Sequence, residues 1–229
     1  MQTHGKAVVI VLAAGEGRRL GAQLPKALIP IGGRPMLAMA AAAAAASPLV
    51  DAVVVAAPPG AAAAAAACVE GLEVPCTVVE GGASRQSSVR LALAAVGDGV
   101  DVIAVHDAAR PFAPPDLFTT VIEAVRGGAN GAVPVIAVTD TVKRISGDRV
   151  AATVDRDGLA IAQTPQAFRH DVLASAHDEA ARVGLDVTDD ALLLEANDEV
   201  VAVAGDPRNV KITTMFDLAE AEARMGADG

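Results

Sequence analysis

Val8-Val9-Ile10-Val11-Leu12-Ala13-Ala14-Gly15-Glu16-Gly17-Arg18-Arg19-Leu20, followed by Pro25-Lys26, joins an apolar, largely β-branched run to a glycine loop with three cations inside residues 18–26. The run predicts a buried strand. Side-chain-free positions at Gly15 and Gly17 let the loop after it curl and turn successive backbone N–H groups toward an anion. Arg18, Arg19 and Lys26 add charge that those N–H groups lack; an arginine grips two phosphate oxygens with its planar fork, whereas a lysine is a compact, movable point charge. Only one of the two arginines needs to face a ligand. The stretch therefore predicts a polyphosphate site at the end of the first strand.

The spacing excludes two familiar alternatives. It contains no Gly-x-x-x-x-Gly-Lys-Ser/Thr run, and position 20 is Leu20 where a dinucleotide fingerprint needs its third glycine. The glycines alone fit a plain surface turn equally well, so the fold must come from the rest of the chain. Strand candidates recur at 6–12, 52–56, 74–79, 102–105 and 132–138, with helical candidates between them at 35–46, 59–69, 85–95 and 115–125. This alternation predicts an α/β fold of three layers, a mostly parallel Rossmann-like sheet with right-handed crossovers, in one domain over 1–229. Further on, 169–183, 189–195 and 215–224 read as helical, and 200–203 and 210–212 as extended. Residues 140–159 break the rhythm: short β-prone stretches around Ser146-Gly147-Asp148 read as a hairpin-like arm. Such a hairpin needs a packing partner, either a second subunit or its own domain.

The whole-chain numbers narrow the classes. A net charge of −10 and no Trp or Tyr argue against a nonspecific nucleic-acid or anionic-membrane surface and against an aromatic stacking platform. The two cysteines, Cys68 and Cys76, suggest neither a disulfide framework nor a metal cluster. No secretory leader pattern and no committed membrane span is seen, so a cytoplasmic location is the expectation. Alanine tracts at 40–46 and 61–67 predict helices but hide which face is buried.

In an open parallel sheet, ligands sit beyond the carboxyl ends of the strands. Residues 15–26 follow the first strand and His106-Asp107-Ala108-Ala109-Arg110-Pro111 follows the fourth, so both should reach one rim. Asp107 can bind Mg²⁺ (or a similar cation such as Mn²⁺), accept a sugar hydroxyl, or accept backbone hydrogen bonds in its own turn. Arg110 is its structural partner or a phosphate donor; His106, one histidine without metal-ligand spacing, reads as structural. In Gly81-Gly82-Ala83-Ser84-Arg85-Gln86-Ser87-Ser88-Val89, Ser84 is a helix cap or an anion contact and Ser88 is placed for a base edge. Lys211 either meets Lys26 around one triphosphate or faces solvent, and Thr188 caps a helix or donates to a phosphate.

Taken in order, Ala13-Ala14-Gly15-Glu16-Gly17-Arg18-Arg19, Pro25-Lys26, Gly81-Gly82 with Arg85 and Ser88-Val89, Val105-His106-Asp107-Ala108-Ala109-Arg110-Pro111, Asp140-Thr141-Val142-Lys143, Val154-Asp155-Arg156, Gln163-Thr164-Pro165-Gln166, Thr188-Asp189 and Asn209-Val210-Lys211 resemble the 2-C-methyl-D-erythritol 4-phosphate cytidylyltransferase family over nearly the whole chain. The resemblance implies CTP and the phosphorylated methylerythritol as substrates, Mg²⁺, and release of pyrophosphate. It also implies Arg19, Lys26 and Lys211 as triphosphate and transition-state clamps; Ala14, Gly15, Gly17, Gly82 and Ser88 as nucleotide contacts; and Asp107 as the ribose- or metal-side carboxylate. Thr141 and Arg156, on the arm, look like contacts to the acceptor phosphate in the neighbouring subunit of a homodimer, with Arg110, Thr164 and Thr188 completing the acceptor's surroundings. Ala83 stands where some relatives carry an acidic residue, which bears on base selectivity. Length and histidine content suggest a monofunctional chain, and the runner-up activity is transfer to a pentitol phosphate such as ribitol 5-phosphate.

Overall fold

The computed structural model describes residues 4–15, 24–195 and 200–227. At its centre is β1 (Lys6–Leu12), which alternates its buried side chains between the two faces of an eight-stranded sheet. Ala7, Val9 and Val11 point to one face, and Val8 and Ile10 to the other. A strand sealed on both faces must be apolar throughout, which is why this run carries no polarity alternation.

β4 (Ala52–Ala57) and β6 (Val100–Asp107) flank β1 in parallel, and β5 (Cys76–Glu80) adds to β4, also in parallel. Beyond β6 the sheet becomes mixed. β11 (Gln166–Arg169) runs antiparallel between β6 and β7 (Gly131–Ala137), with β10 (Ala160–Ala162) continuing along the same edge of β7. β12 (Val200–Ala204) lies parallel on the other edge of β7. The sheet is mostly parallel, as the alternation predicts: β5, β4, β1, β6, β7 and β12 run in one direction, and the antiparallel insertion of β10 and β11 comes from a chain segment that returns from the arm.

On one face, α1 (Met36–Ala45), α2 (Ala62–Cys68) and α4 (Pro115–Arg126) cover the sheet; on the other lie α3 (Arg85–Leu93) and α5 (His170–Val183). The alanines resolve here: Ala40, Ala41 and Ala44 pack against the sheet, where a small side chain lets the helix axis approach closely. Pro115 opens α4, where its missing N–H is no loss. Pro35 instead precedes α1, in the two-residue strand β3 (Arg34–Pro35) that pairs with β2 (Pro30–Ile31).

A third apolar cluster places the tail. Ile29, Ile31, Met36 and Met39 pack against Ile212 and, through Ala221, against α6 (Met215–Ala227). Burial of this seam brings the segment around Lys211 back beside the 3-10 turn Lys26–Leu28. The expected helix over 189–195 is only a 3-10 turn, Ala191–Leu193, with Asp189 Oδ1 accepting from the Ala191 N–H at 2.9 Å. The arm is present as β8 (Val142–Ser146) paired with β9 (Arg149–Val154), a separate two-stranded sheet turning at Gly147, whose φ of 59° suits glycine. Ile145 and Val150 on it are 58% and 63% exposed, so the arm's apolar surface is not covered by the described residues of its own chain. Cys68 and Cys76 are free, and burial pushes both thiols up, away from reactivity. No described helix is long and apolar enough to cross a membrane.

Candidate active site

β1 and β6 end side by side, Leu12 opposite Asp107, and a cavity of about 450 Å³ opens past them. Leu12, Ala13, Ala14 and Gly15 form its floor, Lys26 and Ala27 one side, Gly82, Ala83, Ser84, Arg85 and Ser88 another, and Asp107, Ala108, Ala109, Lys211 and Thr213 the far wall. Lys26 and Lys211, 185 positions apart in sequence, line the same space. Gly17, Arg18 and Arg19 lie outside the described residues.

Asp107 is the electrostatic hub. Its Oδ2 is 2.6 Å from Lys211 Nζ, and its Oδ1 is 3.6 Å from Arg85 Nε. Burial alone would raise its pKa, but Lys211 and Arg85 overcome this and hold it down to about 2. Among the described lining residues it is the sole carboxylate. Of the three readings open for Asp107, hydrogen bonding within its own turn is the one its side chain does not adopt. The Arg110 N–H goes to the Asp107 backbone carbonyl instead.

The glycine pair after β5 is there for close approach. A Cβ on Gly81 would lie 2.6 Å from Ala14 Cβ and 2.8 Å from the Ala57 carbonyl; one on Gly82 would lie 2.2 Å from Ser87 Oγ. The helix that follows is closed by a capping box: Ser84 Oγ accepts from the Ser87 N–H at 3.1 Å, and Ser87 Oγ accepts from the Ser84 N–H at 2.9 Å. Of the two readings of Ser84, capping is the one realised. Ser88 is buried; its Oγ accepts from the Gly82 N–H at 3.0 Å and donates to the Ser84 carbonyl at 2.8 Å, so its hydroxyl shapes the loop against which a base would lie.

Arg110 and Thr164 stand behind the wall. The Arg110 guanidinium donates to the Asn209 carbonyl at 2.7 Å and the Ala162 carbonyl at 3.2 Å, tying down the segment that carries Lys211. Thr164 Oγ1 accepts from the Asp107 N–H at 3.0 Å and lies 3.1 Å from His106 Nδ1. The simplest proton arrangement has Thr164 donating to Nδ1, leaving Nε2–H to donate to the Arg110 carbonyl at 3.1 Å. Burial then lowers the His106 pKa to about 4, against the pull of Asp107. His106 is structural, as expected; neither Arg110 nor Thr164 lines the cavity, and what the geometry gives both is a positioning role.

Thr141, Arg156 and Thr188 are exposed and do not line their own chain's cavity. Arg156 donates to the Thr139 carbonyl, closing the base of the arm. The Ala191 N–H of the turn after Thr188 goes to Asp189 Oδ1. Missing from the sequence expectations as a site side chain is Arg85, read only as part of a motif; its signal was a cation in the first turn of a helix that opens on the rim.

With this geometry in view, the comparisons decide the family: the model described as IspD, 2-C-methyl-D-erythritol 4-phosphate cytidylyltransferase, matches residues 7–227. The chain belongs to that family. A 2-C-methyl-D-erythritol 4-phosphate cytidylyltransferase of Saccharopolyspora erythraea is 47% identical over 94% of this chain and 97% of its own. A bifunctional enzyme IspD/IspF of Rhodopseudomonas palustris is 44% identical over 99% of this chain; this chain spans 57% of that relative's length. Among solved structures, the family member from Thermus thermophilus is 34% identical with a TM-score of 0.79, covering 97% of this chain and 98% of that one. The Anaerococcus prevotii 4-diphosphocytidyl-2C-methyl-D-erythritol synthase reaches a TM-score of 0.85 at 28% identity, covering 97% and 96%. The α/β sheet with flanking helices is therefore the family's fold.

Proposed function

We propose that this chain transfers the cytidylyl group of CTP to 2-C-methyl-D-erythritol 4-phosphate, forming 4-diphosphocytidyl-2-C-methyl-D-erythritol and pyrophosphate. The observation that carries this is the meeting of Lys26 and Lys211 with Asp107 at one cavity, in a chain of this family.

The acceptor is a phosphate monoester whose second pKa is about 6, so near neutral pH its attacking oxygen is already ionised and needs alignment rather than a general base. That oxygen forms a bond to the α-phosphorus in line while the bond to pyrophosphate breaks opposite. Lys26 and Lys211, with Arg19 from the glycine loop, neutralise the equatorial and leaving oxygens. Ala14, Gly15 and Gly82 give the nucleotide a close-fitting backbone wall, with Ser88 bracing the last of these; Gly17 is a further nucleotide contact implied by the family resemblance. Selectivity for cytosine then rests on backbone groups around Ala83 rather than on its side chain.

A Mg²⁺ ion suits the residues present. It commonly uses one or two carboxylates and completes its shell with phosphate oxygens and water, and Asp107 is the side chain that would hold it. Bound there, it would supply charge neutralisation to the triphosphate. The acceptor side is completed across a homodimer, where Thr141 and Arg156 of one chain reach the cavity of the other beside Thr188. The exposed Ile145 and Val150 of the arm support this reading, because apolar strand faces of that kind call for a covering partner.

Pyrophosphate release measured with cytidine, uridine, adenosine and guanosine triphosphates, each crossed with methylerythritol and ribitol phosphates, tests the proposal. Selective turnover of the cytidine and methylerythritol pair is expected. Preferred turnover of ribitol 5-phosphate would make the chain a pentitol-phosphate cytidylyltransferase instead.

A further inference from the structure

Asp107 is shared by two cations, and on the reading just given one of them has a second task. Lys211 is half exposed and sits on Asp107 at 2.6 Å; on that reading it turns from Asp107 to the triphosphate when CTP binds. Such a turn takes from a largely buried carboxylate its nearest side-chain counter-ion, a loss that costs far more in a low-dielectric wall than in water. The remaining cation on Asp107 in the described structure is Arg85, 3.6 Å away through Nε.

Arg85 is not free to follow the nucleotide. Its Nη1 is 2.6 Å from Asp190 Oδ2, a close ion pair without the alignment of a hydrogen bond, and Asp190 is fully buried. The other Asp190 oxygen is 3.0 Å from Nε2 of buried His177 on α5. Next to Arg85, Gln86 Oε1 accepts from the Val187 N–H at 2.9 Å, so the first turn of α3 and the 187–190 segment are locked together. One guanidinium thus spans two carboxylates with different nitrogens, one carboxylate on the cavity and one sealed behind it. A lysine can satisfy only one of them.

We propose that Arg85 is a positioning residue for nucleotide binding: held from behind by Asp190 and His177, it is the fixed counter-ion that keeps Asp107 aimed into the cavity after Lys211 moves to the triphosphate. Lys211 is then the mobile cation of the pair and Arg85 the static one. The inference rests on the CTP reading of the site, but not on which polyol phosphate is the acceptor.

The test is direct titration of CTP, without acceptor, in Mg²⁺ and again in EDTA, on the full chain and two variants. Arg85→Lys keeps a cation for the buried Asp190 and releases Asp107. The double variant Arg85→Gln with Asp190→Asn removes both charges together, so that no uncompensated ion is left inside and the fold is protected. Both are expected to weaken CTP binding at least about tenfold, the scale of one charge-assisted contact, with the acceptor KM of Arg85→Lys moving less than about threefold. CTP affinity within about twofold of the parent in both variants, with only thermal stability lowered, would reduce Arg85 to a structural brace and overturn the proposal. Should the parent chain itself fail to bind CTP, the functional reading is what falls.

Discussion

Lys26 occupies the short turn through which the chain returns from the glycine loop to the cavity wall, where its charge faces the same space as Lys211. Preorganised charge of this kind is worth about 3 to 4 kcal/mol when one donor is removed from an acyl- or phosphoryl-transfer site. Lys26→Ala is therefore expected to lose at least about 100-fold in turnover while melting normally, since the side chain is only partly buried. Near-normal turnover at saturating substrates and Mg²⁺ would remove it from the clamp. His106 carries a different expectation, one of stability. Buried against Phe118, with ring centroids 5.0 Å apart, its imidazole titrates near 4 in the folded chain, chiefly through burial, against an ordinary 6.5. Between those values the unfolded chain takes up the proton and the folded chain does not, so stability is full above about 6.5 and falls as pH drops toward 4, by about 3 kcal/mol in all. Asp107, held near 2 against 3.8, adds a second loss with the same sign below that window. Melting temperatures taken from pH 7 to 4 should show the first slope in the parent and a flatter one in His106→Gln. An unchanged slope in that variant would assign the acid sensitivity elsewhere.

Just after β5 the chain has room for no side chain at Gly81, which lies against Ala14 at the exit of β1 and against the Ala57 carbonyl at the exit of β4. Gly81→Ala should push the loop outward at a cost of about 1 to 3 kcal/mol and weaken CTP binding measurably. Gly82→Ala meets the Ser87 hydroxyl at 2.2 Å and Ser87 Cβ at 2.6 Å, so besides costing the capping box, worth about 1 kcal/mol, it should shift the first turn of α3. Denaturant melts and CTP titrations of the two variants separate these cases, and equal effects would discount the backbone contact. How legible such elements were depends on how much of their signal is local. The run 6–12 and the β6 rim announced themselves through apolar continuity, and the Gly81-Gly82 pair through its two glycines. β11 did not, since Gln166, Ala167 and Phe168 are too short a run to advertise a strand, and what pairs them to β6 is the return of the chain from the arm. The helix expected over 189–195 shrank to one turn because Asp189 and Asp190 are spent elsewhere, on Gln166 and on Arg85 with His177. Arg85 and Asp190 are joined only by tertiary folding, so no spacing in the chain pointed to their pairing. The two-residue hairpin of β2 and β3 was also silent, yet it carries the apolar seam that seats Lys211.

At the scale of the whole molecule, the cavity wall and the arm are separate pieces, and Ile145 and Val150 on the arm are left exposed among the described residues. If each cavity takes Lys26 from one chain and Arg156 from its partner, the two defects are separable. Arg156→Ala alone should raise the acceptor requirement about tenfold or more, the scale of one charged phosphate contact, while the CTP requirement stays near that of the parent. Now combine chains carrying Lys26→Ala with chains carrying Arg156→Ala. In a mixed dimer, one cavity receives both defects, while the other combines an intact Lys26 with an intact arm. Random reassortment makes half of the dimers mixed, each with one working site of two, so activity should return to roughly a quarter of the parent's. Each parent variant alone stays low, and the recovery should follow the mixed-dimer fraction measured with two differently tagged chains. An arm that folds back over its own cavity predicts something else: every site then carries one defect or the other, and verified mixed dimers gain nothing. Activity plotted against mixed-dimer fraction therefore separates sharing from self-coverage by its slope alone.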